Sequence, residues 1–128
     1  MDFIDKLRNE INETIKPKPK LRKGFLGKDD SLVVFPLAGS KVTKEYYDGV
    51  KEQELNYEIA MKSKNADLLD KTLWDIQSFL ENLSALESDD DSFDFNGIEI
   101  TNKPFVQMFD EKGWFIFLVD FKANITIY

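Results

Sequence analysis

The chain contains no cysteine and no histidine. These absences exclude disulfides, thiolate zinc sites, cysteine nucleophiles and any Ser-His-Asp triad. No apolar run approaches the roughly 20 residues that span a bilayer, and Met1-Asp2 does not begin a signal peptide, so we expect a soluble cytoplasmic protein. The six glycines are scattered at predicted turns and form no phosphate-binding loop. The sequence therefore argues against an enzyme and predicts no cofactor.

The chain does contain enough apolar material for a packed core. Its 128 residues are 42% apolar and include eleven phenylalanines. A chain of this length can bury about 68% of its unfolded surface, which is enough to fold without disulfides or metals. We expect a single domain that spans residues 1–128.

The net charge of −7 argues against a general affinity for nucleic acid. The charge is unevenly distributed, because residues 1–64 carry +2 and residues 65–128 carry −9. A basic segment without acidic residues contains Lys16, Lys18, Lys20, Arg22 and Lys23. One interpretation is a solvated loop without a specific role. The other is a contact between oppositely charged surfaces of neighbouring copies of the molecule.

Two segments show the apolar periodicity of amphipathic helices. The first runs from Phe3 to Ile15, with Asp2 as a candidate N-cap, and ends at the prolines that follow. The second runs from Ala66 to Leu86, with Asn65 as a candidate N-cap. Its apolar side chains recur at steps of three and four residues, at Leu69, Leu73, Ile76, Leu80 and Leu83.

Trp74 lies outside the apolar stripe of the second helix. At 100° per residue it points about 140° from Leu69, among polar side chains. A tryptophan in such a position is typical of an interface anchor. The alternative is that it lies beneath the first helix or a loop.

The rest of the chain has the period of two that indicates strands. Predicted strands cover Leu32–Phe35, Val42–Tyr47, Val50–Lys62, Ile98–Thr101 (with an extension to Val106 left open) and Trp114–Tyr128. Asp48-Gly49 predicts the turn of a hairpin, and residues 87–97 are expected to form an acidic connector. The predicted fold is α+β, with a mostly antiparallel sheet of four or five strands and two helices packed on one face.

The last predicted strand is unusually long. Its fifteen residues would span roughly 50 Å, whereas the expected radius of gyration is near 14 Å. Either the strand bends sharply or it reaches beyond its own subunit. Together with Trp114 at its start, this length indicates assembly with other copies.

The acidic side chains form no recognisable metal or catalytic site. Residues 92–97 imitate the start of a calcium loop, but the twelfth position is Lys103 and a strand follows instead of a helix. We therefore predict no metal. Asp120 is flanked by apolar positions, and we interpret it as the point where one face of the last strand becomes solvated.

Three stretches together resemble a known family. They are Tyr46-Tyr47-Asp48-Gly49 leading into Leu55–Lys62, the helix around Leu73-Trp74, and Gly113-Trp114-Phe115 through Thr126. In this combination the chain is similar to the minor capsid or tail terminator proteins of long-tailed phages and prophages of Gram-positive bacteria. The resemblance covers residues 3–127.

The resemblance implies a structural role in the virion. Tail terminators of this kind are small α/β proteins that form a hexameric ring on the head-proximal end of the tail tube. The ring stops tube polymerisation and offers a docking surface to the head connector, and DNA passes through its centre without specific binding. The protein would be made in the host cytoplasm and remain at the head–tail junction.

For the surfaces that contact partners, we predict Trp74, Trp114 and the basic segment Lys16, Lys18, Lys20, Arg22 and Lys23. The acidic residues Asp89, Asp90 and Asp91 are hypothesised to line a lumen that repels DNA. A small acidic inhibitor or immunity protein that blocks a basic partner is an alternative from a different class. Another head–tail joining protein or a tail-tube subunit is a second alternative.

Overall fold

The computed structural model describes residues 2–88 and 91–128, which form two helices and six strands. The helices are α1 (Phe3–Thr14) and α2 (Ala66–Asn82). The strands are β1 (Leu21–Lys23), β2 (Ser31–Pro36), β3 (Lys41–Glu45), β4 (Lys51–Ser63), β5 (Phe93–Phe109) and β6 (Phe115–Ile127).

All six strands belong to one mixed sheet. The order is β1-β2-β4-β6-β5, and β3 pairs with β4 next to the end of β2. The β1–β2 pair is parallel, and the other pairs are antiparallel. The α+β class is therefore confirmed, whereas the predicted count of four or five strands is too low because β1 adds a short parallel edge.

The pairing of β4 with β6 forms the centre of the sheet. It continues residue by residue from Lys51 opposite Ile127 to Ser63 opposite Phe115. On the other side of β6, β5 pairs from Phe93 to Phe109, with several bulges. β6 therefore finds partners for its whole length in β4 and β5 of the same subunit. It does not need to reach into another subunit to be paired.

Both helices pack on one face of the sheet. Alternating side chains of β4, namely Tyr57, Ile59 and Met61, are buried on this face together with the alternating positions of β6 from Phe117 to Ile125. The buried stripes of the two helices cover them, with Phe3, Leu7 and Ile11 from α1 and Leu69, Leu73, Ile76 and Leu80 from α2. This is the main core.

The opposite side of the sheet, here called the open face, is built from the side chains that alternate with the core. Its buried cluster is small and consists of Val33, Ala60 and Leu118. Leu26, Phe35 and Ile116 pack against that cluster and are only partly buried. Within the described residues, neither helix contributes to this cluster.

The ends of the helices agree only in part with the prediction. Asn65 caps α2 as expected, since its side chain accepts a hydrogen bond from the Leu68 amide. The helix ends at Asn82 rather than Leu86, because Leu83 has an extended backbone with ψ 117°. Asp2 occupies the N-cap position of α1 as expected, but its carboxylate accepts a hydrogen bond from the Ser88 hydroxyl and makes none to the helix backbone.

Two strand segments contradict the sequence analysis. β1 was not expected, and Phe93–Gly97 belongs to β5 rather than to an acidic connector. Phe93 is buried against the ring of Phe3, at 5.5 Å between centroids, and this contact explains why the segment joins the sheet. Of the residues hypothesised to line a lumen, Asp89 and Asp90 lie outside the described residues, and Asp91 is exposed.

Neighbouring residues of α2 should respond very differently to truncation. Leu73 is fully buried in the core, whereas Trp74 is 39% exposed. Leu73→Ala should lower the free energy of unfolding by about 2–5 kcal/mol, because it leaves a cavity. Trp74→Ala, its matched control, should cost less than about 1 kcal/mol. Urea denaturation of both variants checks this, and a comparable loss from Trp74→Ala would place Trp74 in the core.

Candidate functional site

The open face has an apolar end. Phe35, Ile116 and Leu118 lie there, and the ring of Phe25 packs on Phe35 at 5.8 Å between centroids. Phe105 and Met108 of β5 extend the same face, because they pair with Leu118 and Ile116 across the ladder. Because many of these side chains stay partly exposed, the apolar end is a candidate contact surface.

Trp114 lies at this apolar end and is partly buried. The Nζ atom of Lys62 lies 4.9 Å from the centroid of the Trp114 ring, and that of Lys64 lies 5.0 Å away. These cation–π contacts hold the indole against its own subunit. The role of Trp114 as an interface residue therefore stays a prediction.

Next to the apolar end, two carboxyl groups face each other across the central strand pair. Glu58 of β4 is paired with Asp120 of β6, and both side chains lie on the open face. Asp120 is only 8% exposed. Its Oδ2 accepts a hydrogen bond of 2.8 Å from Nδ2 of Asn102. Its Oδ1 is buried and has no hydrogen-bond partner among the described residues.

The environment makes Glu58 hard to ionise. Desolvation by burial, together with the hydrogen bond to Asp120 and the negative charge of Asp120, raises the pKa of Glu58 from 4.5 to about 7. A protonated Glu58 can donate to Asp120, and a proton shared by the two groups would satisfy the Oδ1 of Asp120. Asp120 itself is buried rather than solvated, and the open face of β6 becomes partly exposed from Lys122 onward.

The cations near this pair are held by other groups. Nζ of Lys122 lies 3.6 Å from a carboxylate oxygen of Glu54 and 3.2 Å from one of Glu99. Nζ of Lys62 donates to the carbonyls of Gly27 and Lys28. Within the part of the chain that is described, no ion pair involves Glu58 or Asp120.

The apolar end continues onto one edge of the sheet, where its exposed side chains are here called the edge patch. It consists of Phe105, Val106, Met108 and Phe109 on β5, which are between 40% and 62% exposed. β5 is the last strand in the sheet order, so the backbone groups on its outer side are available for pairing. A long apolar edge strand of this kind is typical of a protein–protein contact.

The basic segment lies at the opposite edge of the sheet. Its five charged side chains are exposed, and β1 is the outermost strand there. Lys23 contacts α1, because its Nζ lies 2.7 Å from Oδ1 of Asp5. The sheet therefore ends in a basic edge at β1 and an apolar edge at β5.

Trp74 is partly exposed on the surface of α2. The groove between the helices is lined by Ile15, Asp75 and Phe79, among others. Trp74 points about 140° from Phe79 around the helix axis. Ser78, which also lines the groove, lies about 40° from Trp74, so Trp74 borders the groove with its side chain partly exposed, and its role as an interface anchor stays a prediction.

The described residues contain neither a candidate metal-binding group nor a candidate membrane-spanning helix. Among residues 2–88 and 91–128, no group of three acidic, cysteine or histidine side chains is arranged to hold a metal ion. In the same residues no helix combines the length and the apolar character that crossing a membrane requires. The segment that imitates a calcium loop, residues 92–97, runs mostly within β5.

Comparison with known proteins gives one clear finding. A family model described as bacteriophage tail terminator protein matches residues 10–127. The resemblance inferred from the sequence is thereby confirmed over nearly the whole chain. A search of curated proteins gives no match.

Replacing Glu58 by glutamine should stabilise the protein at about pH 8 more than at about pH 5. The pKa of Glu58 rises from 4.5 to about 7 on folding. Between these two pH values the folded chain keeps a proton that the unfolded chain releases, so the free energy of unfolding falls as the pH rises. Glutamine keeps a hydrogen-bond donor toward Asp120 at every pH.

Urea denaturation of the wild type and Glu58→Gln between these pH values checks this prediction. The difference in unfolding free energy should grow in favour of the variant as the pH rises. Glu52→Gln, on the same strand and the same face, is the control and should show a difference that stays constant over this window. A constant difference for Glu58→Gln would contradict the prediction.

Proposed function

Since the chain belongs to the bacteriophage tail terminator family, we propose that this phage tail structural protein caps the head-proximal end of the tail tube as a ring. The ring ends tube polymerisation and provides the surface to which the head connector docks. It consists of six copies, as the family resemblance implies. This function places the protein in the virion, at the junction of tail and head.

The observation that carries the proposal is the edge patch on β5. A ring requires a head-to-tail contact in which two different surfaces meet. The two edges of this sheet differ, because β5 exposes the edge patch and β1 carries the basic segment. An exposed apolar edge strand of this length favours burial against another copy over exposure to water.

Charge supports the same arrangement. The basic side chains lie at and before β1, whereas Asp94 and Glu99 are exposed on β5. A head-to-tail contact brings these opposite charges toward each other, which favours the correct orientation of neighbouring copies. The same charges would repel each other if two identical edges met.

The two ends of the long strands supply surfaces for the two axial partners. The turn between β3 and β4 exposes Tyr47 fully and Tyr46 in part. At the other end of β4, the β5–β6 turn carries Phe109 stacked on Phe115. Thirteen residues of β4 separate these ends by about 40 Å. One end would contact the tail tube and the other the head connector.

DNA passes through the centre of this ring without being bound specifically. The net charge of −7 opposes adhesion of a polyanion, which supports free passage. The family assignment favours this tail role over an acidic inhibitor protein.

Disruption of the gene in its source phage tests the proposed function. Negative-stain electron microscopy of the lysate should show overlong tail tubes beside detached, DNA-filled heads. Expression of the wild-type gene from a plasmid should restore particles of normal length. Normal particles from the disrupted phage would overturn the proposal.

Substitution within the edge patch should impair self-association without unfolding the protein. Val106 is 54% exposed, and Val106→Lys places a charge where two copies would meet. We expect the dissociation constant of the assembly, measured by sedimentation velocity, to rise at least about tenfold. The free energy of unfolding should change by less than about 0.5 kcal/mol.

Val42→Lys is the matched control for this experiment. Val42 is an exposed valine on β3, at 45% exposure, away from the β5 edge. It should associate as the wild type does. Equal association of the Val106 and Val42 variants would show that the edge patch is not the contact between copies.

A further inference from the structure

The Glu58–Asp120 pair, in which Asp120 is buried and Glu58 partly buried, is left incomplete by its own subunit. Asp120 accepts a hydrogen bond from Asn102, and its Oδ1 has no donor among the described residues unless the neighbouring Glu58 carboxyl is protonated. An unsatisfied buried carboxylate oxygen is costly, so such a group normally has a ligand or a proton. The pair therefore requires a cationic partner or a shared proton.

Of the lysines near the pair, Lys122 and Lys62 are engaged by other groups, and Lys103, which follows Asn102 on β5, is exposed and forms no ion pair with Glu58 or Asp120 in the described part of the chain. Toward β5 lie Asn102 and Glu99, and along β6 lies Lys122, which is engaged by Glu54 and Glu99. Toward β2 lies Phe35, which is paired with Glu58. Further along β4, Lys62 is engaged by backbone carbonyls and by Trp114.

The shape and chemistry of the site favour a long basic side chain. Two carboxyl groups sit beside Phe35, Ala60 and Leu118, so an apolar wall adjoins the negative charge. The aliphatic stem of an arginine or lysine packs on such a wall while its charged head reaches the carboxylates. Arginine can also bind two acceptors at once through its planar fork.

Of the two basic side chains in β1, Arg22 projects to this side of the sheet. In β1 the neighbouring Leu21 is buried in the core beneath the helices, and Lys23 contacts Asp5 of α1. Side chains alternate along a strand, so Arg22 points to the open face. Its cross-strand partner Val33 belongs to the open-face cluster, which agrees with this direction.

Within one subunit Arg22 is too far away to complete the site. The strands β2 and β4 lie between β1 and β6, so the backbones of Arg22 and Asp120 are separated by three strand spacings, about 14 Å. From the other side, only β5 separates β6 from the sheet edge. A strand placed against that edge would lie about 10 Å from Asp120, which an extended arginine and an aspartate can bridge.

We propose that Glu58 and Asp120 form a receptor for Arg22 of a second copy of this chain, seated against the edge of β5. This inference rests on the ring proposed above and names the side chains that orient its contact. The arginine completes the hydrogen bonding of Asp120 and displaces the proton that the carboxyl pair otherwise holds. Assembly is therefore stronger at about pH 8 than at about pH 6.

A double-mutant cycle tests the proposed pairing. Arg22→Gln and Glu58→Gln should each raise the dissociation constant of the assembly at about pH 8 by at least about tenfold. The double variant should be no weaker than either single variant, because both changes remove the same interaction. The Glu58→Gln variant should also lose most of the pH dependence of assembly that the wild type shows.

Matched controls isolate the pair from general charge effects. Lys28→Gln removes an exposed positive charge close to β1, and Glu52→Gln removes a negative charge from the strand and face of Glu58. Both controls should assemble within about twofold of the wild type. Circular dichroism and urea denaturation establish that each variant is folded.

Several outcomes would overturn the receptor. These are wild-type association of Arg22→Gln, additive effects of the two substitutions, or a wild-type protein that remains monomeric at every concentration. Failure of the receptor is distinguishable from failure of the proposed function. If these variants associate normally while gene disruption still produces overlong tails, the receptor is wrong and tail termination stands.

Discussion

The uninterrupted pairing of β4 with β6 is the constraint on which the rest of this structure depends. Because these strands match over thirteen residues, every second side chain is assigned to the helix side along the whole length. Both helices pack on that side, so the apolar and acidic side chains of the other side remain without a helical cover in the described residues. The same pairing carries the two turns to opposite ends of the subunit.

Local sequence patterns were sufficient to predict most elements of this architecture. The leucine stripe and the Asn65 cap located the start of α2, and Asp48-Gly49 located the turn between β3 and β4. Each of these signals acts between residues that are close in sequence. The end of α2 was misplaced because Leu83 and Leu86 continue the apolar pattern after the backbone has become extended.

The features that the sequence did not predict depend on contacts between residues that are distant in sequence. β1 has three residues and is stabilised by parallel pairing with β2, so its own sequence carries little signal. The alternation of Phe93 and Phe95 indicates the start of β5, but the surrounding acidic residues are typical of an exposed connector. The Glu58–Asp120 pair depends on the register between β4 and β6, which a single sequence does not specify.

The edge patch and the Glu58–Asp120 pair differ in what they can contribute to a contact between copies. Burial of the edge patch provides free energy in proportion to apolar area, but such burial is tolerant of orientation. A partly buried carboxyl pair adds little net stability, because desolvation of the charges offsets the attraction to a cation. In the proposed contact, however, the cation comes from the β5 edge and must pass Asn102 to reach both carboxyl groups, which fixes its direction. An apolar edge next to a directional charged site is therefore suited to a ring. The apolar edge makes each contact stable, and the charged site sets the angle between neighbouring copies that lets the ring close.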